Sequence, residues 1–221
     1  MDTNISEILV ANGTGAMLIV MLFLSRINFR KMHRAEHDKL FDAMLFITLL
    51  ANVAESISFL VDGKDFAYCH GVQVIVNFIC VGATVIVGYC WCLFTAFQIH
   101  RNQKHVKKAA VVLVIPLVAV MLLLVADLFD ARLLFEITPE NVYVRGKYCL
   151  IVYLLLFVYY GYSVVATVYN WKKTPHARFF PVQYFVVPLV LGTILQGLFY
   201  GITIGWMMVA VAFVFVQLNL Y

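Results

Sequence analysis

Residues 40–61 read LFDAMLFITLLANVAESISFLV, and this stretch decides the fold. At roughly 1.5 Å per residue, a helix of this length crosses the ~30 Å hydrocarbon core of a bilayer. Its second half nevertheless carries Asn52, Glu55 and Ser56, with Thr48 one turn before Asn52. At helical spacing the four positions share one face. A carboxylate in hydrocarbon costs several kcal/mol on any scale, so that face turns inward, toward other helices or a wet cavity. Glu55 thus reads as the polar centre of a helical bundle in a membrane.

Outward from this stretch the composition agrees. Of 221 residues, 63% are hydrophobic and only 13% charged, where a soluble domain has about 25% charged residues. The class is an integral membrane protein with no nucleic-acid partner expected. The segment before the first apolar run is short and acidic (Asp2, Glu7), the reverse of a signal-peptide n-region. Asn4-Ile5-Ser6 and Asn12-Gly13-Thr14 match the glycosylation pattern, but the second falls in or against the first helix, where it is unusable.

Seven spans are predicted, at about 8–26, 40–61, 71–98, 109–128, 148–170, 180–200 and 205–221, which makes the fold class an all-α seven-transmembrane helical bundle. The segments after the first, third and fifth spans hold 12 of the 16 Lys and Arg residues. The other side has Lys64, Arg132, Arg145 and Lys147 against eight carboxylates, so the positive-inside rule puts the N-terminus outside and the C-terminus in the cytosol. The longest outer segment, about 129–147, contains Pro139 and is expected to fold over the bundle mouth. Gly201–Gly205 is a tight link between the last two spans, and Pro116 and Pro188 should kink the spans that hold them. Tyr221 follows a helix that has only just reached the cytosolic face, so the helix is expected to continue and residues 1–221 to form one truncated membrane module.

Depth in the membrane then selects the candidate site. Glu55 lies about 10 Å below the outer surface, and Asn77 is equally far into the third span. Asn52 shares the Glu55 face, while Asn12 and Tyr153 enter from the first and fifth spans at similar depth. Gln196 and Tyr200 approach from the sixth span and Trp206 from the seventh. Polar or aromatic groups from six helices converge in the outer half, the usual form of a small-molecule pocket. Each has a plainer reading as well: amides and hydroxyls glue membrane helices at about 1 kcal/mol each, aromatics pack, and Trp206 suits an interfacial anchor. Glu55 stands apart, because a neutral amide would glue as well at lower cost. With aromatic walls contributing cation–π attraction of about 0.5–2 kcal/mol, a small amine or other cation is the best-matched ligand. No basic residue is expected at that depth.

Catalysis is not expected. Cys80, Cys90 and Cys92 read as apolar packing groups, and Cys69 and Cys149 at the outer helix ends are the two thiols able to pair. The six histidines lack zinc-site spacing, and no phosphate-binding loop, nucleophile elbow or metalloprotease motif occurs, so neither metal nor cofactor is expected.

Four stretches, ANGTGAMLIVMLFLSR, DKLFDAMLFITLLANVAESISFLVDG, NVYVRG and GTILQGLFYGITIGW, resemble the N-terminal seven-helix sensory region of diguanylate cyclases from Firmicutes-type bacteria. In those proteins a cytosolic GGDEF domain follows the last helix. The resemblance implies a sensory module in a bacterial cytoplasmic membrane, with an output domain in cis through which two copies would associate. The GGDEF motif itself is absent, so the resemblance does not extend to cyclic-di-GMP synthesis by these residues. The rival class is a small transporter or channel using Glu55 as a proton or cation site, although no internal repeat supports it.

Overall fold

The computed structural model describes residues 5–29, 36–129, 131–180, 182–198 and 203–220. The elements are α1 (Ile5–Phe29), α2 (Glu36–Val61), α3 (Cys69–His100), α4 (Gln103–Asp127), β1 (Phe135–Ile137), β2 (Tyr143–Arg145), α5 (Cys149–Asn170), α6 (Pro175–Phe179), α7 (Val182–Leu198) and α8 (Gly205–Leu220). Six helical stretches are long and apolar enough to cross a membrane, the sixth being Pro175–Leu195. α8 is apolar but shorter, 16 residues or about 24 Å. The apolar side chains do not all turn inward: on α4, Val111, Val112, Ile115, Val118, Leu122 and Val125 are exposed. Such a surface fits lipid and not water. The chain is an all-α polytopic membrane protein with one small hairpin.

α3 is the longest helix, at 32 residues, and the hub. It packs against α2, α4, α5, α6 and β1. The pairs α2–α3, α3–α5, α5–α7, α7–α8 and α8–α2 close a five-helix ring. α1 lies outside the ring against α2 and α8, and α4 lies outside it against α3 and α5. Small residues allow close approaches: a Cβ on Gly15 of α1 would fall 2.7 Å from Asn52 Oδ1 and 3.2 Å from the Met207 Cα of α8. Pro116 and Pro188 sit inside continuous helices. Pro116 cannot bond the Val112 carbonyl and disturbs that turn. There the Tyr159 hydroxyl of α5 donates to the Leu113 carbonyl at 2.9 Å.

The predicted outer loop 129–147 is more ordered than its composition implies. β1 and β2 pair antiparallel, with Phe135 opposite Arg145, Glu136 opposite Val144 and Ile137 opposite Tyr143. Asn141 takes a left-handed φ of 59° in the turn, a conformation asparagine tolerates better than most side chains. Two carboxylates at helix ends hold the hairpin. Asp127 accepts the backbone N–H groups of Leu133, Leu134 and Phe135 at 2.6, 2.7 and 3.2 Å. Asp62 accepts Tyr143 N–H at 2.9 Å and the Gln73 amide at 3.2 Å.

At the opposite end the bundle is closed by aromatic rings and one ion cluster. Trp91 stacks on Phe185 with centroids 3.6 Å apart, and Phe213 and Phe41 pack edge to face at 5.4 Å. Below them Arg26 differs from its sequence reading as a loop charge. It is buried in the last turn of α1, donating to Asp38, Asp42 and Gln217, each at 2.9 Å. Its guanidinium also lies 4.8 Å over the Phe41 ring. These bonds tie α1 to α2 and α8.

Candidate functional site

The five-helix ring holds a partly open cavity of about 440 Å³ at the hairpin end. α2 supplies Glu55 and Ser58 to its lining, with Asp62 just beyond its end, α3 supplies Asn77, Cys80 and Thr84, and α5 supplies Tyr153 and Tyr160. α7 contributes Leu189 and Thr193, and α8 contributes Trp206 and Val209. Val142, Tyr143 and Arg145 of the hairpin region complete the lining. The volume lies within the range of small-molecule sites.

Of the residues picked from the sequence, Glu55, Asn77, Tyr153 and Trp206 line this cavity. Asn12 and Asn52 do not. Both are buried, but Asn52 Oδ1 is turned toward Gly15 of α1, on the outer flank of the ring. The Gln196 side chain and Tyr200 lie outside the described residues. Arg145 corrects the expectation that no basic group shares the site, since it lines the same cavity from β2. Ser58, Thr193 and Tyr143 were also missed. Ser58 was readable as the residue one helical step beyond Glu55, while the Tyr143 position follows only once the hairpin is folded. Burial raises the Tyr143 phenol above its ordinary range, so it remains a neutral hydroxyl.

The polar lining residues fall into two kinds. Asn77 is committed: its Nδ2 reaches Ser58 Oγ at 3.1 Å, the Gln73 carbonyl at 2.9 Å and Gln73 Oε1 at 3.0 Å. Ser58 in turn donates to Gln73 Oε1 at 3.1 Å, so these groups bind α2 to α3. Glu55 is not committed. Its Oε2 is buried with no hydrogen-bond partner. The Asn12 side chain is within hydrogen-bonding reach of the carboxylate, although its amide atoms meet no partner at closed hydrogen-bond geometry. A buried acceptor left open costs about 1–3 kcal/mol, more when charged, so an uncommitted carboxylate at a cavity wall is the group to which a ligand adds most.

All five cysteines are free. The Cys69 thiol donates to the Val61 carbonyl at 3.5 Å and is not joined to Cys149. Among the described residues no group of three or more His, Cys, Asp or Glu side chains is placed to hold a metal ion.

Fold and cavity together define a polytopic helical membrane protein with a cavity at one end. No family model matches the chain, and neither a curated protein nor a solved structure is similar enough to count as a match.

Proposed function

We propose that the chain is the membrane sensor of a signalling protein, binding a small cationic molecule in the hairpin-end cavity. The carrying observation is that Glu55 opens onto a chamber walled by Tyr153, Tyr160 and Trp206 while its buried Oε2 lacks a partner. An ammonium group meets both features, pairing with the carboxylate and lying against aromatic faces. Arg145 and Asp62 add one charge of each sign to the lining, which favours a ligand carrying polar groups besides its amine. The distribution of basic residues orients the cavity outward and the end of α8 toward the cytosol. α8 is the natural output, since Trp206 lines the cavity, Phe213 belongs to the aromatic layer and Gln217 meets Arg26. A ligand that prefers one seating of Trp206 would shift that helix, and only such a preference moves the output. In keeping with the resemblance in its sequence, the output domain would be a diguanylate cyclase in a bacterial cytoplasmic membrane.

The test is a thermal-shift screen of the purified chain against small alkyl and arylalkyl amines, each with a neutral isostere. An amine should raise the melting temperature where its isostere does not, and Glu55→Gln should weaken that amine by a factor of at least ten. Binding of isosteres alone, or equal amine affinity in Glu55→Gln, would refute the reading.

A further inference from the structure

The uncommitted groups continue past the cavity wall. Thr48, Asn52 and Glu55 follow one another at helical spacing along α2, and all three have a buried oxygen without a partner (Thr48 Oγ1, Asn52 Oδ1, Glu55 Oε2). Asn12, on the neighbouring α1, has both amide atoms unpartnered. Asn12, Thr48 and Asn52 are each 1% exposed or less. Asn52 Oδ1 sits in the notch left by Gly15, one turn along α1 from Asn12. The Asn12 side chain is within hydrogen-bonding reach of Glu55.

Donors are scarce in this cluster. Asn52 spends its Nδ2 on the Thr48 carbonyl at 2.9 Å, leaving Asn12 Nδ2 and the Thr48 hydroxyl to serve three acceptor oxygens, one of them a carboxylate. The charges that share the cavity with Glu55 are Asp62 and Arg145 near the hairpin, whereas these oxygens lie on the α1 side of α2. Water would supply hydrogen bonds but no charge. A small hard cation supplies charge to oxygen donors and needs no sulfur or imidazole.

We infer that Glu55, Asn52 and Asn12 form a monovalent cation site of sodium size between α1 and α2, behind the cavity. The ion would seat α1 on the ring and meet the Glu55 charge from the side opposite an organic ligand. Two cations on one carboxylate repel, so sodium and an amine would each weaken the other. The site stands without the amine reading, because sodium alone is its probe.

The purified chain is melted in sodium chloride and in caesium chloride at equal ionic strength, organic cations being avoided because they would enter the cavity. Sodium should raise the melting temperature, by about 2–4 °C at several times its dissociation constant. Glu55→Gln and Asn12→Ala should each abolish the difference. Sodium NMR on the unaltered chain gives a readout independent of any variant, with line broadening reversed by excess lithium. Identical melting in both salts with no broadening, as for buried water, would overturn the inference. A sodium effect that persists in Glu55→Gln would overturn it equally. Failure of the amine screen would leave these results intact.

Discussion

Two buried polar clusters of the bundle, one around Arg26 and one around Glu55, are built in opposite ways. At the far end Arg26 meets two carboxylates and an amide at 2.9 Å, and stacked aromatic rings seal the layer above. In the Glu55 cluster, Asn12, Thr48, Asn52 and Glu55 each keep at least one buried atom unpaired, and Glu55 lines the cavity. The same helices, α1, α2 and α8, take part in both. The difference teaches that a polar residue in an apolar span is not by itself a functional signal. A saturated cluster holds helices together, and an unsaturated one beside a void leaves something for a ligand to supply.

The largest effect should come from the saturated Arg26 cluster. Arg26→Met removes the cation between Asp38 and Asp42 and leaves Gln217 without its donor. Breaking such a pair from one side costs about 3–5 kcal/mol when buried, and the low end applies because Asp38 and Asp42 are partly exposed. Denaturant titration in detergent should register this loss, and a change under about 1 kcal/mol would remove the distinction between the two clusters. Next comes Gly15→Ala. Its methyl would press on Asn52 Oδ1 and on the Met207 backbone, and overpacking of this kind costs about 1–3 kcal/mol. An unchanged melting temperature would mean that α1 is not fitted closely to α2 and α8. The smallest effect belongs to Glu55→Gln, which keeps shape and hydrogen-bonding capacity and should alter folding by less than about 1 kcal/mol. A glutamine variant that fails to fold would make Glu55 a packing residue like Arg26.

Much of this was legible before the structure. Glu55 was readable because a carboxylate in a 22-residue apolar run is too expensive to be incidental. The site was readable in depth but not around the bundle axis. Asn12, Asn52 and Asn77 share a level, yet helix packing turns Asn52 toward α1, whereas Asn77 lines the cavity. Periodicity gives each helix a face and does not say which neighbour that face meets. Arg26 was misread for a related reason, since a basic residue at the end of a span counts with the loop charges that follow it until α2 and α8 are packed beside it. The hairpin escaped because three-residue strands are too short for alternation to register, although Thr138-Pro139-Glu140-Asn141 between Phe135-Glu136-Ile137 and Tyr143-Val144-Arg145 is a turn between strand formers.

The account stands on the hairpin end being the outer one. Single cysteines at Glu140 in the hairpin turn and at Lys104 beyond α3, each in a background without the native thiols, can be challenged in intact cells with a membrane-impermeant maleimide. Outward orientation predicts labelling at position 140 and none at 104 until the membrane is opened. Labelling at 104 with protection at 140 would turn the cavity toward the cytosol and contradict an extracellular sensor.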